Sequence, residues 1–257
     1  MTRDSLRQLM NIVALVATLI VNTLSNTLPI NGQTAAEISN RLPVLFVPAN
    51  YVFSIWGLIY ALLIGFGIYQ ALPAQRDNAL LRRISPWFWL SCAANISWLL
   101  FFHYNQFPLS MVVMLVLLFA LITIYRLIRS AGPSASRVEA IFVRGTFSVY
   151  LGWITVATIA NAAYVLFDAG WNGFGIPDTT WTVLLLVVAA ALTSYILLTR
   201  RDLAYAAVIV WALVGIYIKQ SAVAPVATTA GLMVAVVVVA AIFATIRGGS
   251  LPAWTAA

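Results

Sequence analysis

Apolar residues run along this chain in long blocks, separated at near-regular intervals by short stretches that hold almost all of its charge. A window of the ~20 residues needed to cross a bilayer picks out eight helices, roughly 9–29, 50–71, 86–104, 108–128, 146–167, 180–199, 203–219 and 224–246. The pattern predicts an all-α membrane protein with about eight transmembrane helices. Arg3 and Arg7 precede the first block as they would in a signal peptide. No clear small-x-small cleavage site follows, and the block is long enough to span, so it reads as a retained helix.

Inside several spans the apolar pattern is interrupted by amides and rings rather than by charge. The stretch VPANYVFSIWGLIY, residues 47–60, places Pro48, Asn50, Tyr51, Phe53, Trp56 and Tyr60 at the start of the second span. With alternating directions, these lie in the same half of the membrane as Asn22 and Asn26 of the first span and Asn95, Trp98, Phe101 and Phe102 of the third. Ala157, Asn161 and Tyr164 of the fifth join them, above a more central Trp153. Steps of three or four residues keep Asn95 with Trp98, and Trp98 with Phe102, on one helix face; they align Tyr150, Trp153, Ala157, Asn161 and Tyr164 as a stripe.

The expectation is a shared pocket beneath the first outer connection, INGQTAAEISNRLPVLFVPA, whose length of about twenty residues suits a lid or binding segment. Plainer roles compete with it. Asparagines in spans serve as interhelical glue, on the order of 0.5–2 kcal/mol each. Ordinary helix packing accounts for Trp56, Trp98 and Trp153 as readily as ligand contact does, and Trp87, Trp89, Trp171 and Trp254 fit an interfacial belt.

Composition agrees with the membrane reading: 63% of residues are hydrophobic, 8% are charged and the mean hydropathy is +0.97. Charge adds an orientation. If the N-terminus is cytoplasmic, that side receives Arg3, Arg7, Arg76, Arg82, Arg83, Arg126, Arg129, Arg137, Arg144, Arg200, Arg201 and Arg247, leaving Arg41 and Lys219 outside. This asymmetry predicts cytoplasmic termini and placement in the bacterial inner (plasma) membrane. Scattered singly or in pairs, the basic residues form no nucleic-acid surface. Asp4, Glu37, Asp77, Glu139, Asp168, Asp178 and Asp202 fall in loops or at span ends. With no ionisable group expected at the bilayer midplane, an ion-driven pump is disfavoured.

The polar vocabulary changes near residue 172, the last asparagine in the chain. The expected division is a ligand-binding membrane domain over 1–170 and a three-helix extension over 171–257, whose Ala/Val-rich spans read as scaffold or partner surface. Cys92 reads as an inert small hydrophobe. His103, beside Tyr104 and Asn105, reads as a solvated loop residue without co-ligands for a metal. Phosphate loop, HExxH and nucleophile elbow are missing, so no conventional catalytic constellation is visible.

Three segments, in order, carry a family resemblance. FVPANYVFSIWGLIY has Pro48 in a loop leading into a helix with Phe53, Trp56 and Tyr60; AANISWLLFF has Asn95, Trp98, Phe101 and Phe102; VYLGWITVATIAN has Tyr150, Trp153, Ala157 and Asn161. Over residues 8–168 the sequence resembles the translocator protein / tryptophan-rich sensory protein (TspO/MBR) family, as a divergent and extended member. Phe46 stands for the family's loop tryptophan, Ala49 for its second proline and Val149 for the proline before Tyr150.

The resemblance implies a five-helix bundle with a pocket under the first loop for flat, largely apolar molecules, tetrapyrroles and sterols being the usual ligands. Porphyrin photochemistry through a pocket tryptophan, proposed for family members, is put in doubt by Phe46. Leu121, Tyr125 and Arg129 meet a loose form of a sterol-recognition pattern in the fourth span.

The candidate ligand-binding residues are Asn22, Asn26, Pro48, Phe53, Trp56, Tyr60, Asn95, Trp98, Phe102, Tyr150, Trp153, Ala157 and Asn161. The function they suggest is a membrane binding or sensory protein for planar hydrophobic ligands, in their trafficking or regulation. A facilitative small-molecule transporter and a structural or assembly subunit are the alternatives. Expected partners are the lipid bilayer, a planar hydrophobic small molecule such as a tetrapyrrole, and a second copy or a larger membrane complex; nucleic acid is not among them.

Overall fold

The computed structural model describes residues 2–28 and 30–247, and Trp254 lies outside them. Long apolar segments must satisfy their own backbone hydrogen bonds in lipid, which leaves the helix as the economical solution for each block. The long helices are α1 (Arg3–Thr27), α3 (Ile55–Ala71), α4 (Ala79–His103), α5 (Phe107–Ser130), α6 (Thr146–Asp168), α7 (Asp178–Arg200), α8 (Leu203–Lys219) and α9 (Ala224–Ile246). No strand occurs among the described residues, and the protein is an all-α integral membrane protein. Seven of these segments, counted with their flanking turns, are long and apolar enough to cross a bilayer. The 17-residue α8 is shorter, about 25 Å at the helical rise.

Local chemistry sets the boundaries. Thr2, Asn78 and Asp202 cap α1, α4 and α8 by accepting from the N–H of Ser5, Leu81 and Tyr205. Pro108 and Pro225 sit in the first turns of α5 and α9, where a missing N–H leaves no helix bond unmade. A π-turn at Ala140–Gly145 leads into α6.

α1 packs on α3 and α4, α4 on α5, α5 on α6, and α6 on both α3 and α8, while α7, α8 and α9 pack on one another. One apolar core runs through α1, α3, α4, α5, α6, α7, α8 and the start of α9. At its middle Phe66, Phe88 and Phe147 meet with ring centroids 5.0, 5.2 and 6.2 Å apart. α8 approaches α6 closely because Gly152 has no side chain: an added Cβ would lie 3.1 Å from both Tyr205 O and Val208 Cβ.

The first connection is not an open loop. It contains α2 (Ala35–Arg41), closed by a reciprocal Thr34–Glu37 capping box, and α2 lies across the end of α4. His103 corrects the sequence reading. It is the last residue of α4 and fully buried, with its Nδ1 2.7 Å from Leu99 O, because α2 and its flanks cover the helix end. Trp89 likewise does more than sit at an interface, donating to Asn11 Oδ1 at 2.6 Å. Asn11 in turn donates to Gln70 Oε1 and Ser85 Oγ at 3.0 Å, tying α1, α3 and α4 together at the end opposite α2.

At that same end Asp202, buried at 4% exposure, accepts from Arg129 Nη2 at 2.5 Å and Ser148 Oγ at 2.7 Å. The turn between α7 and α8 is thereby clamped onto α5 and α6. The Tyr125 ring carries the Arg129 guanidinium 5.0 Å from its centroid. Two members of the loose sterol pattern thus belong to this clamp.

Candidate functional site

Beneath α2 the bundle encloses a cavity of about 250 Å³. α1 contributes Asn22, Ser25 and Asn26; the Asn50–Ser54 turn and α3 contribute Phe53, Trp56 and Tyr60. α4 presents Trp98, Leu99 and Phe102, and α6 presents Trp153, Ala157, Asn161 and Tyr164. Of the thirteen residues expected from sequence, Asn95 and Tyr150 alone do not line it. They stand immediately behind the wall: Tyr60 donates to Asn22 Oδ1 at 2.7 Å, Asn22 to Asn95 Oδ1 at 2.7 Å, and Asn95 to Tyr150 Oη at 3.1 Å.

That relay joins α3, α1, α4 and α6. It fixes the face Asn22 shows to the cavity while satisfying groups that would be costly to bury alone. Asn161 is held more loosely, its contacts to Ser110 Oγ and Met111 Sδ each measuring 3.4 Å.

Rings form the two ends of the hollow. At the deep end Trp56 stacks on Tyr60 (5.5 Å, 23°), and Phe53 and Trp56 present edges to Trp153 at 5.9 and 6.2 Å. Toward α2, Trp98 stacks on Phe102 (5.2 Å, 18°), whose ring meets Tyr164 edge-on at 5.8 Å. Such arrangements leave broad faces free for a flat partner. Among the described residues no Lys, Arg, His, Asp or Glu lines the cavity. Three of the lining residues, Trp98, Trp153 and Tyr164, each carry a donor, Nε1, Nε1 and Oη respectively, that is buried without a hydrogen-bond partner.

The roof is made of small residues, Ala35, Ala36 and Ser39 of α2, continued by Val47 and Pro48. Ile38, fully buried, anchors α2 against Phe102, Phe107 and Tyr164. Polar ties hold its margins: Gln33 Nε2 and Asn31 Nδ2 donate to His103 O at 2.8 and 3.0 Å, and Arg41 Nη1 to Asn105 Oδ1 at 3.0 Å. The Glu37 carboxylate accepts from the Thr34 N–H, at 2.7 Å, which holds its pKa below the usual 4.5. From α8, Trp211 Nε1 reaches Val52 O at 3.1 Å, and beyond its end Gln220 Nε2 reaches Leu45 O at 3.0 Å.

A second hollow, about 320 Å³, lies between α6, α7 and residues 43–45. The indole N–H of Trp181 in its wall is already satisfied by Gly173 O at 3.0 Å. No unpartnered buried donor lines it among the described residues.

Sequence reasoning missed α2 as roof, Met114 of α5 as wall, and Tyr164 as a candidate, although Tyr164 continues the α6 stripe. Phe46, at the family's loop-tryptophan position, is buried in the core outside the cavity wall. Among the described residues no three His, Cys, Asp or Glu side chains come together to hold a metal.

A model of the family described as TSPO-like protein matches residues 8–243. The chain belongs to that family. No curated protein and no solved structure matches it significantly. In this TSPO-like protein the match extends past the three motifs to include α7, α8 and most of α9. Those helices reach the site physically, since α8 both packs on α6 and supports the cavity roof.

Proposed function

We propose that this protein is a membrane receptor for planar, largely apolar small molecules of the tetrapyrrole or sterol class, acting in their sensing or trafficking. The observation that carries the reading is the roofed cavity itself: aromatic faces at both ends, amides along its sides and, among the described residues, no charged group in its wall. A few convergent polar groups in an apolar, preformed hollow are what a small-molecule site requires. In this reading residues 1–170 supply the ligand walls and residues 171–257 buttress them. The distribution of arginines supports an orientation with both termini cytoplasmic and α2 on the far side of the bacterial inner membrane.

Titration of the purified protein in detergent with protoporphyrin IX, followed by tryptophan fluorescence, tests this. Saturable quenching is expected, with affinity falling about tenfold in Trp56→Leu, a loss of ~1.4 kcal/mol. Quenching that saturates identically in wild type, Trp56→Leu and Trp98→Leu would remove the cavity from the account.

A further inference from the structure

The second hollow, on the other side of α6 from the cavity beneath α2, lies where two consecutive helices fail to meet. α6 packs on α3, α5 and α8, and α7 packs on α8 and α9, but α6 and α7 do not pack along each other. Between them is the space of about 320 Å³ that also takes in Pro43, Val44 and Leu45. Its α6 wall runs from Thr158 to Phe167, about 13 Å along the axis. Half of a ~30 Å hydrocarbon core is ~15 Å. The hollow has the depth of one leaflet.

Aromatic residues mark the end at the membrane surface. Trp171 and Trp181 both line the hollow with their rings 5.3 Å apart, and Trp171 meets the exposed Phe174 at the same distance. Such rings belong at the boundary between head groups and hydrocarbon. Below them the wall is continuous with the lipid-facing surface: Leu166 and Phe167 line the hollow and are also exposed on α6, and Leu184, next to the lining Leu185, is exposed on α7.

The wall calls for hydrocarbon. Thr158 Oγ1 and Thr182 Oγ1 donate to carbonyls of their own helices, Ile154 O and Asp178 O, at 2.7 and 2.8 Å, and Trp181 Nε1 donates to Gly173 O. Water in this space would wet apolar surface, and a void would forfeit dispersion contacts along the whole wall. In a bilayer the material at hand is an acyl chain.

The mouth adds a preference of charge. Asp178, the exposed first residue of α7, is the one ionisable residue in the lining among the described residues, and none of them pairs with its carboxylate. The cations Arg41 and Lys219 are taken up at the roof by Asn105, Gln33 and Asn40. A head group carrying an ammonium is attracted to Asp178, and one with only a negative charge is repelled.

We propose that this hollow is a phospholipid site: one acyl chain of a phosphatidylethanolamine from the α2-side leaflet lies between α6 and α7, and its ammonium pairs with Asp178. The chain supplies the contact that the two helices lack. It also braces residues 43–45, which lead into the cavity roof at Val47 and Pro48.

Photo-labelling in nanodiscs tests the site. Phosphatidylethanolamine and phosphatidylglycerol with identical acyl chains, one chain bearing a diazirine, are compared in wild type, in Ala162→Phe, which fills the hollow from α6, and in Asp178→Asn, which removes the charge at its mouth. In wild type the ethanolamine lipid is expected to label residues 158–167 and 178–185 about two- to fivefold more than the glycerol lipid, the range of a solvent-exposed ion pair. Label on α9, which faces lipid without a groove of this kind among the described residues, is the reference and should show no preference. Asp178→Asn is expected to abolish the preference and keep the label. Ala162→Phe is expected to bring the label from both lipids down to the level of α9.

Should Ala162→Phe fail to fold, Ala162→Leu provides a smaller plug, and Asp178→Asn, at an exposed position, still reads the head group. Label in the two segments no stronger than on α9, equal labelling by the two lipids in wild type, or a preference that survives Asp178→Asn would overturn the proposal. Cross-linking of these segments to a second copy of the chain, with lipid label unchanged in the plugged variant, would overturn it too and assign the groove to self-association. Protoporphyrin titration reads the cavity beneath α2 separately, so the receptor reading and this one can fail independently.

Discussion

Ala49 donates its backbone N–H to the carbonyl of Gly215 at 3.1 Å, joining the segment that roofs the cavity to the C-terminal part of α8. The two segments come this close because position 215 carries no side chain. A Cβ there would lie 2.2 Å from Val52 Cγ2 and 3.0 Å from Pro48 Cβ, so α8 acts as a template for the turn that delivers Phe53 and Trp56 to the site.

Gly215→Val is therefore expected to force the roof segment away from α8, at a cost of about 1–3 kcal/mol. The melting temperature in detergent should fall, and protoporphyrin affinity should fall with it because Pro48 and Phe53 move. An unchanged melt would show that the contact is slack.

The relay from Tyr60 through Asn22 and Asn95 to Tyr150 should behave as one unit. Asn22→Leu leaves the acceptor of Asn95 and the hydroxyl of Tyr60 without partners, and Asn95→Leu removes the partner of Tyr150 and one of the two acceptors of Asn22 Nδ2, the other being Thr18 O. A double-mutant cycle on thermal stability is expected to give a coupling of about 0.5–2 kcal/mol, with the double variant less damaged than the sum of the singles. Additivity would mean that the two amides act independently.

Asp202 is the buried half of an ion pair whose other half, Arg129, keeps 30% of its side-chain surface exposed. Asp202→Ala also strands Ser148 and removes the cap of α8, so a loss of about 1–3 kcal/mol is expected. Because the carboxylate is shielded from counterions, raising salt in the wild type should not reproduce that loss. Chemical denaturation at two salt concentrations distinguishes the outcomes.

The capping box on α2 makes the roof sensitive to acid. Glu37 has a lowered pKa in the folded protein, so its contribution is complete above the ordinary value of 4.5 and fades as pH falls through the lower folded value. Protoporphyrin should dissociate faster from Glu37→Ala than from wild type at neutral pH, and the two rates should converge in acid. Stopped-flow dissociation across that range checks the sign: a gap that widens in acid would contradict it.

The eight helices and the membrane character were legible from the chain alone because they depend on local quantities, run length and hydropathy, that no tertiary contact can reverse in lipid. Steps of three and four residues also marked which sides of α4 and α6 would face one hollow, since helical periodicity converts sequence spacing into direction. Only the tertiary structure decided that residues 35–41 fold over the cavity as α2, that His103 is sealed beneath that cover, and that Asn95 and Tyr150 stand behind the wall. It also decided that an Ala/Val-rich helix, α8, positions the site through backbone contacts at Gly152 and Gly215. Contacts made by a bare backbone leave no mark in hydropathy or motif, and whether an N–H or O–H finds a partner depends on atoms remote in the chain. For that reason the unsatisfied donors of Trp98, Trp153 and Tyr164 became visible only when the helices were assembled.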